Sequence, residues 1–321
     1  MRKWDKKKKT AAALAAAVFL VIFPFAGLSD YLIRVAIMLM IYIIAALGLN
    51  MISGEAGQVS MGQAGFFAVG AYGSALLSLK LGLPVILCMV FAALITGLVS
   101  AVLGILALRL SGGYLAVITL ALSEAIRLII VNWSSLTNGN VGLVAIPRPK
   151  LGPFMFQGYT EYYFMTLLFL ILAVLASRNI IRSSFGLRLK MIKNDEIVSQ
   201  TSGVNILREK VIAFTISGLF AGLSGALYAH LMRFIEPSVG ANVRSNLFLC
   251  MVVLGGMGNM YGTIAAAVLL GILPELLRGF DALNQLIYGL ILIVAMLFKA
   301  KNISLESIKA RLSVRRAGKP E

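Results

Sequence analysis

Residues 49–67 read LNMISGEAGQVSMGQAGFF. Four glycines and six polar or charged residues, Asn50, Ser53, Glu55, Gln58, Ser60 and Gln63, stand here between two strongly apolar runs. What those runs are decides what the stretch can be. Of the 321 residues, 60% are hydrophobic and 13% charged, where a soluble domain has roughly half and a quarter. Several apolar runs approach the roughly 20 residues that a helix needs to cross a bilayer. A lone strand would leave its backbone groups unpaired in lipid, so helices are the default form. The sequence therefore predicts an all-α, polytopic membrane protein. It is expected to be a helical bundle of about eight to ten transmembrane segments, two of them broken by glycine, with both termini cytoplasmic.

The candidate spans are 11–29, 31–52, 63–80, 84–108, 113–131, 161–177 and 209–232, then a broken segment 244–278, then 283–299. This gives a basic cytoplasmic N-terminus over 1–10, one transmembrane domain over 11–299 and a basic cytoplasmic tail over 300–321. The N-terminus has a basic head and an apolar run like a signal peptide. Phe25-Ala26-Gly27 puts a bulky ring where a small residue is needed for cleavage, so 11–29 is read as an uncleaved first span. The segment 244–278 either crosses twice, meeting at GGMGNMYG, or is a re-entrant hairpin.

Charge orients the bundle. With the N-terminus inside, the cytoplasmic parts hold 21 Lys and Arg: six in residues 1–9, Arg109, seven in 178–210 and seven in 299–319. The outer side holds seven: Arg34, Lys80, Arg148, Lys150, Arg233, Arg244 and Arg278. That asymmetry follows the positive-inside tendency and accounts for most of the net charge of +16. No nucleic-acid partner is implied; the basic residues face the anionic lipid of the bilayer instead.

The opening stretch has a counterpart in VVLGGMGNMYGTIAAAVLLGIL, residues 252–273. One break falls in the first third of the chain and one in the last. Irregular backbone at membrane depth is tolerated only where it is buried in protein or lines a watery cavity. A pair of glycine-interrupted segments points to a transport pathway. Gly54, Gly57, Gln58, Ser60, Gly62 and Gln63 in the first break, and Gly255, Gly256, Gly258 and Asn259 in the second, are the candidate pathway residues. The alternative is plain helix packing through small residues.

Between them, RNIIRSSFGLRLKMIKNDEIVSQTSGVNILR (178–208) is the longest internal polar segment. Asn194 as cap, Asp195 and Glu196 in a first turn, Ile197 behind them and Gly203 after the end spell a short helix of about two turns across the membrane face. An ordinary solvated loop is the alternative. The Gly- and Pro-rich segment 132–160 forms an external loop. Glu124 and Arg127, three apart on a helix, are placed to pair. His230 and Arg233 fall at the outer end of their span, where polar heads reach water. Cys88 and Cys250 lie in apolar runs and read as packing residues. One histidine and two cysteines exclude a multi-histidine metal site, so no metal is expected. No nucleophile–base pair is visible, so catalytic residues are not expected and the chain does not read as an enzyme. No G-x-x-x-x-G-K-[ST] motif occurs, so the chain has no P-loop for ATP.

These residues carry a family likeness. LNMISGEAGQVSMGQAGFFAVGAYGSALL resembles the L-N-L-x-x-G-x-x-G-Q-x-S-x-G-x-A-x-F-x-x-x-G-A-Y signature of the permease subunits of branched-chain amino acid ABC transporters, LivM type. TLALSEAIRLIIVNW, GLRLKMIKNDEIVSQTSGVN, FAGLSGALYAHLMRFIEPS and MVVLGGMGNMYGTIAAAVLLGILPELLR fit the same family in order, from about residue 31 to 299. The chain departs from it at Glu55, where an aromatic is usual, at Gln63, where a His is usual, and in LTNGNVGL (136–143). The resemblance implies a multi-pass permease of the bacterial inner membrane that imports branched-chain or related small amino acids. It implies a homologous second permease, two cytoplasmic ATP-binding subunits and an extracytoplasmic solute-binding protein. ATP would be used by the partners, with no cofactor bound by this chain. Asn194, Asp195, Glu196, Ile197 and Gly203 would form the coupling helix. The alternatives are import of another small polar solute such as urea or an amide, or a stand-alone ion-coupled transporter, which would need Glu55 or Glu124 as its protonatable group. A passive channel is a third.

Overall fold

The computed structural model describes residues 24, 29–107, 113–151, 154–155 and 158–276. The expected spans at 11–29 (apart from Pro24 and Ser29) and 283–299, and both basic termini, lie outside the described residues. In chain order the helices are α1 (Asp30–Leu49), α2 (Gln63–Lys80), α3 (Val85–Ala107), α4 (Gly113–Asn132), α5 (Ser134–Thr137), α6 (Tyr159–Arg182), α7 (Ser184–Asn194), α8 (Glu196–Thr201), α9 (Ile206–Met232), α10 (Asn242–Gly255) and α11 (Met260–Leu276). α1 runs on into a π-helical turn, Asn50–Glu55. A two-stranded hairpin, β1 (Lys150–Leu151) and β2 (Phe154–Met155), is the small exception to an all-α fold.

Five of these helices, α1 with its π turn, α3, α4, α6 and α9, are long and apolar enough to cross a membrane. The fold is a multi-pass helical membrane bundle. α6 reaches Arg182, five residues beyond the expected end of its span, because the apolar run passes without a break into RNIIR. α2 is less apolar than the five. It lies inside the bundle against α9, α3 and α4, so Gln63, Ser74 and Ser78 never meet lipid. α3 and α6 do the opposite. Leu87, Val90, Phe91, Leu94, Leu98 and Val102 form an exposed stripe on α3 at three- and four-residue spacing, and Leu168, Ile171, Leu172 and Leu175 form one on α6. Stripes of that size are a lipid-facing surface.

α9 is the axis of the bundle, packed on α3, α2 and α1. Small residues set how closely they approach. A Cβ on Gly225 would stand 2.0 Å from the Phe67 carbonyl oxygen, and one on Gly70 would stand 2.3 Å from the Gly222 carbonyl oxygen. Hydrogen bonds cross the same seams: Ser100 Oγ donates to the Phe214 carbonyl at 2.7 Å, and Tyr162 Oη to the Leu227 carbonyl at 2.6 Å. Without a hydrophobic driving force between helices in lipid, such close packing and cross-helix bonds hold the bundle together.

The upper end of the bundle carries residues 133–158. There Lys80 Nζ donates to the Ser135 carbonyl, and Leu143 and Ile235 form an isolated antiparallel bridge. His230, expected to reach water, is instead wholly buried. Its ring nitrogens lie 2.8 Å from Ser74 Oγ and 2.7 Å from the Pro147 carbonyl, tying α2 and the upper loop to α9. Arg233 is exposed and ends α9 in the left-handed conformation, φ 60°. The expected Glu124–Arg127 pair is formed, with Arg127 Nε 2.9 Å from Glu124 Oε1. The lower end carries α7 and α8. α10 and α11 form an antiparallel hairpin whose tip, residues 256–259, reaches this lower end, so the broken segment extends from the upper side to the lower.

The seam gives the first test. Gly225→Ala forces the α2 backbone away and is expected to destabilise the bundle by about 1–3 kcal/mol. Gly73→Ala, whose Cβ meets nothing closer than 3.6 Å, is expected to be neutral. Thermal unfolding of both variants in detergent checks this, and equal midpoints would contradict it.

Candidate functional site

The chain from Asn50 to Gly62 cannot stay helical, because its glycines and polar residues weaken the helix in turn. The π turn is the first step. Ala56 N–H then donates to the Met51 carbonyl at 3.3 Å and Gln58 N–H to the Ile52 carbonyl at 3.1 Å. Gly57 takes φ +70°, which favours glycine. Ser53 Oγ closes the turn, donating to the Gln58 carbonyl at 3.2 Å and accepting from Ser60 N–H at 3.3 Å. Ser60 Oγ in turn accepts from Gly62 N–H. In the second break Gly256 and Gly258 take φ +93° and +87°, and Asn259 Oδ1 accepts from Gly262 N–H at 3.2 Å to start α11.

The two breaks, some 200 residues apart in sequence, meet. Asn50 Oδ1 accepts from Gly258 N–H at 3.0 Å. Gly54 lies so close that an added Cβ would stand 2.1 Å from Asn50 Oδ1 and 2.5 Å from Gly258 N. Gly255 packs equally tightly on Gly262 within the hairpin. From below, Lys193 of α7 bridges the pair: its Nζ donates to the Gly54 carbonyl at 2.7 Å and to the Met257 carbonyl at 3.4 Å. Lys190 Nζ lies 3.6 Å from the buried Glu55 carboxylate.

α8 sits beside this clasp. Its cap is Asp195 rather than Asn194: Asp195 Oδ1 accepts from Ile197 N–H at 2.9 Å and Val198 N–H at 3.0 Å, while Asn194 ends α7. The carboxylate reaches the first free N–H groups only from the residue directly before the helix, and α7, not anticipated as a helix, claims Asn194. Gly203 takes φ +83° after the end, as expected. Glu196 Oε1 accepts from Gln58 Nε2 at 3.2 Å and from the buried Lys210 Nζ at 2.6 Å. Ile197, 75% exposed, and Val198 present an apolar surface away from the bundle. A short capped helix is thereby fixed to the first break on one side and offers an unfilled apolar knob on the other.

The predicted pathway residues divide. Gly54, Gly57 and Gln58 are brought together with Gly258 and with Lys193 or Glu196. Ser60 and Gly62 serve the turn. Gln63 is buried higher, its Nε2 donating to the Ala45 carbonyl at 2.9 Å and its Oε1 accepting from Ser217 Oγ at 3.1 Å. Gly258 and Asn259 border a cavity of about 220 Å³ with Arg178, Arg182 and Tyr261. Asn50, Lys193 and Lys210 were missed. Asn50 lies in the quoted stretch, and a lone amide between Leu49 and Met51 at the end of an apolar run was the available signal. Nothing local shows that Lys193 reaches back 139 residues. Three buried atoms at the clasp, Asn50 Nδ2, Glu55 Oε1 and Gln58 Oε1, have no hydrogen-bond partner.

A helical membrane bundle in which two broken segments meet is an arrangement that transport proteins use. Residues 31–296 match the family model described as branched-chain amino acid transport system / permease component. The chain is 33% identical, over 92% of its own length and 75% of the relative's, to the high-affinity branched-chain amino acid transport system permease protein LivM of Salmonella typhimurium. It is 32% identical over the same shares to its counterpart in Escherichia coli. It is 26% identical, over 74% of its length and 78% of the relative's, to the probable LivM permease of Methanocaldococcus jannaschii. No solved structure gives a significant match. The chain belongs to the permease-component family of branched-chain amino acid transport systems.

The cap gives the second test. Asp195→Ala removes both cap bonds and is expected to cost helix α8 about 1 kcal/mol. Amide hydrogen exchange over residues 196–201 should then accelerate about fivefold, with α9 unchanged. An unaltered exchange pattern in α8 would contradict the capping role.

Proposed function

We propose that the chain is the permease subunit of an ABC importer of the bacterial inner membrane, carrying branched-chain or related small amino acids inward. The lower end, with α7 and α8, is cytoplasmic. Two ATP-binding subunits dock there, and the apolar knob of Ile197 and Val198 enters a cleft on one of them. A homologous second permease completes the pathway, and an extracytoplasmic binding protein delivers solute to the upper loops. ATP is bound and used by the partners, consistent with the lack of a P-loop in this sequence.

The observation that carries this reading is the bridge from Lys193 to both breaks. In the closed state the two interrupted segments seal the lower end, with Lys193 supplying the hydrogen bonds that the Gly54 and Met257 carbonyls lack. When the ATP-binding pair closes and opens, α8 moves. Lys193 moves with it, because only Asp195 separates α7 from α8. Withdrawal of the ammonium leaves the clasp without its latch, and the breaks part. Gly54, Gly57, Gln58 and Gly258 then flank the inner mouth of the passage.

The ion-coupled reading rests on two acids. Glu124 is paired with Arg127. Glu55 is buried, 3.6 Å from Lys190, with one carboxylate oxygen unpartnered, and is the acid that reading would use; the family match over residues 31–296 favours the importer.

Lys193→Met keeps the aliphatic stem and removes the donors. In proteoliposomes holding the assembled complex, it is expected to keep solute-stimulated ATP hydrolysis within about twofold while uptake falls about tenfold, the loss expected for a charge-assisted hydrogen bond worth about 1.5–3 kcal/mol. Normal uptake by the variant would remove the latch from the mechanism.

A further inference from the structure

A second polar site lies in the upper half of the bundle, away from the clasp. Arg244, on the first turn of α10, points its guanidinium over two rings: its Cζ is 4.9 Å from the centre of Tyr228 and 5.5 Å from that of Phe67. Its guanidinium forms no ion pair and no hydrogen bond among the described residues, and its Nη1 is wholly buried. The nearby Asn242 Oδ1 is also buried without a partner. Arg244 opens on a cavity of about 550 Å³, whose walls include Tyr42, Ser238, Asn246, Leu247 and Cys250.

A cation with unmade bonds inside a membrane protein is costly, and such groups face a water-filled space or a ligand. The two rings offset part of the cost through cation–π attraction, and with Nη1 buried the edge formed by Nε and Nη2 is the one left for a ligand. That edge matches a carboxylate, which takes two parallel N–H bonds from a guanidinium. At the rim, Ser238 is hydrogen-bonded to the exposed Glu236 carboxylate. Negative charge thus stands near the mouth and positive charge within. Leu247 and Cys250 supply an apolar wall between turns of α10. Asn246 is exposed on the same helix and adds an amide to the cavity wall beside Arg244.

We propose that this cavity is a transit site for the transported solute, in which Arg244 binds the α-carboxylate of a zwitterionic amino acid. The ammonium lies toward Glu236 and Ser238, and an aliphatic side chain lies against Leu247 and Cys250. The assignment rests on the importer reading given above. It adds a selection step within the permease: a neutral amide or sugar lacks the group that Arg244 holds.

The test compares Arg244→Gln and Arg244→Lys in proteoliposomes containing the whole complex with its ATP-binding and solute-binding partners, with radiolabelled leucine as the probe. Arg244→Gln is expected to lower uptake about tenfold or more, while Arg244→Lys retains more uptake than Arg244→Gln. Uptake by Arg244→Gln at the wild-type rate, or equal loss in both variants, would overturn the assignment and leave the importer reading standing. Wild-type vesicles that take up no branched-chain amino acid would overturn the importer reading and this assignment with it. If Arg244→Gln does not assemble, Asn246→Cys decides. A water-soluble maleimide is expected to label it in membranes, and solute with binding protein and ATP to slow the labelling. A cysteine that is not labelled, or whose labelling solute leaves unchanged, would overturn the assignment.

Discussion

The carbonyl oxygen of Gly54 has lost its helical partner within a membrane bundle. An unpaired backbone group there costs several kcal/mol, so a break in a membrane helix persists only if something else supplies the bond. Here the donor is the ammonium of Lys193, from a segment 139 residues away in sequence. The same group reaches the Met257 carbonyl in the other break. The two breaks and α7 are thus joined at one junction. A lysine on a flexible stem is a donor that can be withdrawn without unfolding either break, which a backbone hydrogen bond would not allow.

The rest of the architecture serves that junction. The glycine seams of α9 let α2 and α3 pack at backbone distance, and α2 is thereby held inside the bundle with its polar start at Gln63. The α10–α11 hairpin carries the second break down to the first. The ion pairs Arg188–Glu209 and Lys210–Glu196 tie α7, α8 and the start of α9 together, and Gln58 joins α8 to the clasp. Charge at this end is arranged as a network, whereas at the upper end Arg244 stands alone over aromatic rings.

Hydropathy made the spanning helices legible, because lipid leaves a chain few alternatives. The two breaks were legible for the same reason: glycine and amide side chains inside apolar runs need an explanation. The end of α8 at Gly203 followed from its need for positive φ. What the sequence did not show was pairing at long range. Asn50 bonding Gly258, and Lys193 bonding both breaks, depend on how helices cross, and no local period encodes that. The same limit hid the role of Arg244, counted at first as one outer charge among seven, and made His230 read as solvated when it is a buried cross-link. The shift of the cap from Asn194 to Asp195 has a local cause, since the unanticipated helix α7 takes Asn194 as its last residue.

The central claim is that the two breaks part when the α7–α8 segment moves. The most direct measurement places spin labels at Met61, near the end of the first break, and at the exposed Met257, at the tip of the second. Their separation is then read by pulsed electron resonance in the assembled complex, in nanodiscs, without nucleotide and with ATP trapped. The account requires one short, narrow distance in the closed state and a distinctly longer one in the other nucleotide state, with Lys193→Met broadening the closed-state distribution. An identical distance in both states, in a complex that transports, would contradict it.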